Sequence, residues 1–125
     1  MVKKINKKVL IVEDDEDFLS ILKIKFESEG FSIISAADGE KAIEVAEQEK
    51  PDLILSDVLL PKVNGIEMAK KIKESNKNIV VVFLTNLTDV SYTDEIKKSG
   101  FGYLVKSDLK ISDIVEKVKV KLGVD

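Results

Sequence analysis

The sequence predicts a doubly wound α/β fold, five parallel strands in one sheet with five helices on its two faces. Three observations carry that expectation. Short apolar runs rich in branched residues alternate with stretches whose apolar residues recur at helical spacing, and glycine or proline marks several of the joins. At 125 residues the chain is sized for one compact domain, expected to span 1–125 with no room for a second folded unit. Strands that alternate with helices pair in parallel, because each crossover returns the chain to the same starting edge.

The elements follow in order. Val9 to Val12 reads as the first strand, and Phe18, Leu22 and Phe26, with Leu19 and Ile21 beside them, mark a helix that Gly30 stops. Phe31 to Ala36 reads as the second strand, followed by a weaker helical stripe of Ala42, Ile43 and Ala46 that ends at Pro51. The third strand, Leu53-Ile54-Leu55, runs into Asp57 and on through Gly65 to a helix carrying Ile66, Ala69 and Ile72. Val80 to Leu84 is a continuous apolar strand of the kind buried on both faces. From Val90 to Ser99 only Val90, Tyr92 and Ile96 are large and apolar, and Ser91 and Thr93 are weak helix formers, so this fourth helix is expected to be the least stable. Tyr103-Leu104-Val105 makes the fifth strand, and Ile111, Ile114, Val115, Val118 and Leu122 mark a clean last helix.

Composition narrows the chemistry. Hydrophobic residues at 44% and charged residues at 34% are ordinary for a soluble domain, and the longest apolar stretch, Ile79 to Leu84, is far too short to span a bilayer. The N-terminal residues carry lysines but no apolar segment of a secretory signal, so the expected location is cytoplasmic. Cysteine and histidine are both absent, which excludes disulfides, thiolate sites and the commonest general base and leaves only hard, oxygen-bound metals. A net charge of −3 gives no electrostatic reason to expect nucleic acid, and Lys3, Lys4, Lys7 and Lys8 read as a solvated lead-in.

In a parallel sheet the loops leaving the strands' carboxyl ends share one edge, where ligands gather at the switch point of the strand order. Glu13 and Asp14 follow the first strand, Asp57 the third, Thr85 the fourth and Lys106 the fifth. Two carboxylates roughly 5 Å apart repel by about 3 kcal/mol at an effective dielectric near 20, so three together favour a cation. Oxygen ligands on loops suit Mg²⁺. Asp15, Glu16 and Asp17 read instead as acids complementing a helix N-terminus. Taken singly, Asp57 reads as a turn residue, Lys106 as a solvated lysine and Tyr103 as a strand aromatic. Their company at one edge is what raises them to site candidates.

Four motifs, Val9-Leu10-Ile11-Val12-Glu13-Asp14, Asp57 through Pro61 to Gly65, Leu84-Thr85, and Tyr103-Leu104-Val105-Lys106, resemble those of receiver domains of two-component response regulators over essentially the whole chain. The resemblance implies a flavodoxin-like strand order of 2-1-3-4-5. It implies that Asp57 accepts a phosphoryl group from the phosphohistidine of a sensor histidine kinase or phosphotransfer protein, with self-catalysed transfer rather than enzymatic turnover. Asp14, Asp57 and the backbone carbonyl of Leu59 would ligate Mg²⁺, Glu13 would hold it mainly through water, and Lys106 would pair with phosphoryl oxygens. Thr85 and Tyr103 would form the switch pair, changing the surface of the fourth helix, fifth strand and fifth helix. Downstream protein, output domain or a phosphorylation-dependent dimer would read that surface, with no nucleic acid or membrane bound directly.

Departures from the family pattern are Asn86 where a small residue is usual, Ser107 where proline is usual, and a segment Gly100-Phe101-Gly102 that reaches Tyr103 one residue early. Leu59 and Leu87, two beyond Asp57 and Thr85, offer no group to orient water, so slow self-dephosphorylation is expected. Two other classes compete. A phosphatase of the haloacid dehalogenase type also uses a nucleophilic aspartate, but after its first strand and with a second aspartate two residues on. A silent interaction module would keep the fold without taking phosphate, with Asn86 and Ser107 in its favour.

Overall fold

The computed structural model describes residues 4–85 and 90–124. The strands are β1 (Lys8–Val12), β2 (Ser32–Ala36), β3 (Leu53–Asp57), β4 (Val80–Thr85) and β5 (Gly102–Val105). The helices are α1 (Glu16–Ser28), α2 (Gly39–Glu49), α3 (Gly65–Ser75), α4 (Val90–Lys98) and α5 (Ile111–Leu122), with a 3-10 turn at Lys106–Asp108. All four strand pairings are parallel and the order is β2-β1-β3-β4-β5, as expected. The order reverses between β1 and β3, whose carboxyl ends carry Glu13-Asp14 and Asp57.

Strand alternation divides the core into two layers. Leu10, Val12, Ile54, Val81 and Phe83 face a cluster completed by Ala42 and Ala46 of α2, Ile66, Met68, Ala69 and Ile72 of α3 and Ile96 of α4. Val9, Ile11, Leu53, Leu55, Val82 and Leu84 face the other, completed by Leu22 and Phe26 of α1 and by Ile114, Val115 and Val118 of α5. Burial on both faces is why β1, β3 and β4 read as unbroken apolar runs.

The helix ends are held by local chemistry. Asp15 caps α1, its Oδ1 accepting from the N–H groups of Asp17 and Phe18 at 3.0 and 3.2 Å, so it serves as the N-terminal acid the sequence suggests. Asp38 and Asn64 cap α2 and α3 in the same way. Gly30 follows α1 at φ 101°, a conformation that favours glycine. Of the N-terminal lysines, Lys3 lies outside the described residues, whereas Lys8 opens β1 and its Nζ reaches the Glu49 backbone carbonyl at 3.1 Å. Lys8 is therefore part of the sheet rather than of a solvated lead-in.

Lys119 of α5 donates to Glu29, just past α1, at 2.8 Å. That hydrogen bond, outweighing partial burial, holds the Glu29 carboxyl below its ordinary 4.5. A depressed folded pKa means the stability is present above the ordinary value and is lost as pH falls through the folded one. Glu29→Gln is expected to cost at most about 1 kcal/mol at neutral pH and nothing once Glu29 is protonated. Melting temperatures of the two proteins should therefore converge as pH falls progressively below 4.5, and a constant gap would contradict this.

Candidate functional site

At the carboxyl edge of the sheet, carboxylate oxygens of Glu13, Asp14 and Asp57 all lie within 4.8 Å of one another. Glu13 is 3% exposed, Asp14 is exposed and Asp57 is half-buried, so the cluster grades from the protein interior to water. Lys106 reaches across from the end of β5, its Nζ 3.3 Å from Glu13 Oε1 and 3.3 Å from Asp57 Oδ2. The second oxygen of Glu13 accepts from the Asp15 N–H at 3.2 Å.

The electrostatics follow from that geometry. Burial is the main reason the Glu13 carboxyl sits above its ordinary pKa; its bonds with Asp15 and Lys106 oppose the shift, and the Asp57 charge adds to it. Burial opposes the Lys106 ammonium too, yet the fields of Asp57 and Glu13 outweigh it and raise its pKa. Three acids face one ammonium, which leaves negative charge over for a further cation. An oxygen-only donor set, with Asp14 open to solvent, fits a hard divalent ion that keeps part of its water, as Mg²⁺ does.

The approach to Asp57 is set by the loop from Val58 to Asn64. The Gly65 N–H donates to the Val58 carbonyl at 2.8 Å, and a Cβ on Gly65 would lie 2.5 Å from the Asp57 carbonyl oxygen. Lys62 adopts φ 71° and places its Nζ 3.7 Å from Asp38 and 3.9 Å from Glu40 at the start of α2. Leu59 lies two residues beyond Asp57 with its side chain 56% exposed. Ser56, buried beside the acid, donates to the Asp57 carbonyl at 2.7 Å.

Thr85 ends β4 at 3% exposure, and its Oγ1 has no hydrogen-bond partner among the described residues. It shares strand parity with Phe83, whose register partner is Tyr103. Tyr103 is half-buried against the same core layer, with Lys97 Nζ of α4 5.6 Å from its ring centroid. An unsatisfied buried hydroxyl costs about 1–3 kcal/mol. Thr85→Val is therefore expected to raise the stability of the unmodified protein by about 1 kcal/mol; a clear fall in urea midpoint would contradict this.

Glu13, Asp14, Asp57 and Lys106 thus converge at the carboxyl edge, where Thr85 also ends β4, whereas Tyr103 lies within β5 and shares with Thr85 the opposite sheet face from the Lys106–Asp57 pair. Asn86 and Leu87 lie outside the described residues. No described peptide bond is cis, and Lys106 and Ser107 form the 3-10 turn. Sequence reasoning missed the Lys62 link to α2 and the ring of Phe18, whose centroid is 4.9 Å from Lys106 Nζ.

Residues 9–119 match the response regulator receiver domain family. The chain belongs to that family. Among curated relatives of this receiver domain, sporulation initiation phosphotransferase F of Bacillus subtilis is 32% identical over 114 residues, covering 91% of this chain and 92% of that protein. The alkaline phosphatase synthesis transcriptional regulatory protein PhoP of the same organism is 44% identical over 80 residues, 64% of this chain; the match spans only 33% of PhoP. A CheY-like response regulator receiver domain protein from Methanospirillum hungatei superposes with a TM-score of 0.87 at 28% identity, covering 94% of both chains. A phosphoacceptor role in two-component signalling follows from that membership. Among the described residues no helix is long and apolar enough to cross a membrane.

Proposed function

We propose that Asp57 accepts a phosphoryl group from the phosphohistidine of a sensor histidine kinase or phosphotransfer protein in the cytoplasm. The observation that carries this reading is Asp57 Oδ2 held 3.3 Å from Lys106 within a cluster of three carboxylates. An Asp57 carboxylate oxygen attacks phosphorus, the phosphorus–nitrogen bond breaks, and the imidazole leaves with a proton, giving an acyl phosphate. Charge opposes that attack, so nucleophile and phosphoryl oxygens must both be neutralised. Asp14, Asp57 and the Leu59 carbonyl would hold Mg²⁺, with Glu13 acting through water, and bound Mg²⁺ would supply much of that neutralisation. Lys106 supplies the rest, passing from Asp57 to the phosphoryl oxygens.

The unpartnered Thr85 hydroxyl would turn to the new phosphoryl group, and Tyr103 would follow it on the same face. The Lys97 contact with the Tyr103 ring ties α4 to β5, which supports the surface of α4, β5 and α5 as the one that changes for a downstream protein, output domain or second copy. Leu59 offers no side-chain group to orient an attacking water, which supports a long-lived signal. Intact mass after incubation with acetyl phosphate tests the reading. Wild type is expected to gain one phosphoryl group with Mg²⁺ and less than about a hundredth as fast with chelator. Equal gain in both, or none in either, would contradict it.

A further inference from the structure

We propose that Phe18 is a positioning residue for Lys106, its ring face holding the ammonium against Asp57 and Glu13 through a cation–π contact. The inference rests on the phosphoacceptor reading above and concerns how that site is assembled. Lysine is a flexible four-carbon stem, and Lys106 emerges from a strand end followed by one short 3-10 turn, so its backbone alone does little to aim it. Three groups converge on its Nζ: Asp57 Oδ2 at 3.3 Å, Glu13 Oε1 at 3.3 Å and the Phe18 ring, with its centroid at 4.9 Å. The distance is within the roughly 6 Å over which a ring quadrupole attracts a cation. The side chain of Lys106 is only 24% exposed, so the contact acts where water screens it weakly.

Phe18 is itself fixed. Its N–H is bound by the Asp15 cap at 3.2 Å, and its side chain packs against the α1 and α5 core layer. The same acidic run that supplies Glu13 therefore sets the ring's place. An aliphatic residue at position 18 would keep the packing and lose the attraction to the ammonium. A pre-aimed ammonium needs no reorganisation as charge develops on the phosphoryl oxygens, which is where positioning contributes to rate.

The test uses Phe18→Leu, Phe18→Tyr and a series in which the Phe18 ring carries one, two or three fluorines, which weaken the quadrupole at nearly constant shape. The first readout is the NMR shift of the Lys106 ε-methylene protons, expected upfield in wild type and Phe18→Tyr and normal in Phe18→Leu. The second is the maximal rate of phosphorylation by acetyl phosphate at saturating Mg²⁺. It is expected to fall stepwise with fluorination, by about three- to tenfold at the end of the series, with Phe18→Tyr near wild type. A normal Lys106 shift in a wild type that phosphorylates, or rates indifferent to fluorination, would overturn the proposal and spare the phosphoacceptor reading. A wild type that shows the Lys106 shift but gains no phosphoryl group would overturn that reading and leave the contact standing.

Discussion

Asp57→Asn is expected to reduce phosphoryl gain from acetyl phosphate by at least about a thousandfold while leaving the fold intact. The amide keeps the shape of the carboxylate and loses its nucleophilic charge. Neither neighbouring acid is placed to substitute. Glu13 is buried, with both oxygens engaged by Lys106 and Asp15, and among the described ion pairs Lys106 is held by Asp57 and Glu13 while Asp14 is exposed. The change also removes one of three mutually repelling charges, while Lys106 retains its Glu13 partner at 3.3 Å. Thermal stability without metal should accordingly stay within about 1 kcal/mol of wild type. Intact mass and a circular dichroism melt on the same samples separate loss of chemistry from loss of fold. Wild-type uptake by the variant would contradict the assignment of the nucleophile.

Gly65→Ala is expected to cost about 3 kcal/mol, roughly 10 °C in melting temperature, and to slow phosphorylation as well. The added Cβ would sit 2.5 Å from the Asp57 carbonyl oxygen and 2.8 Å from that of Val58. Both are backbone atoms, and Asp57 is locked in register with Leu84 of β4, so the loop cannot yield without moving the phosphoacceptor. Gly100→Ala is the matched control. Its backbone has φ +79° with nothing within 4 Å of the added carbon, so only conformational strain of about 1 kcal/mol is expected. Equal melting temperatures for the two variants would show that the close approach at Gly65 is not what constrains the loop.

The fold was readable because burial on both sheet faces leaves unbroken apolar runs at β1, β3 and β4, while helices such as α5 bury one stripe, Ile114, Val115 and Val118. The site was readable for a related reason. A parallel sheet sends the carboxyl ends of its strands to one edge, so Glu13, Asp14, Asp57, Thr85 and Lys106 could be gathered by strand position alone. Contacts that depend on tertiary placement were not readable. Phe18 falls in the apolar stripe of α1, and periodicity cannot distinguish a ring packed on leucines from one set beside a lysine distant in sequence. Lys62 lies in a loop with φ 71°, and nothing local pairs it with Asp38. Gly65 is recognisable as a turn residue, yet its close approach to the Asp57 carbonyl depends on how the loop folds back onto β3.

Trapping the modified side chain identifies the phosphoacceptor directly. Protein phosphorylated with acetyl phosphate and Mg²⁺ is reduced with borohydride, which converts an aspartyl phosphate to homoserine, and the site is mapped by peptide mass spectrometry. Homoserine is expected at position 57 and at no other acid, with none in protein treated in chelator. Homoserine at Asp14 or another carboxylate, or a phosphoryl group that survives borohydride on a hydroxyl, would contradict it.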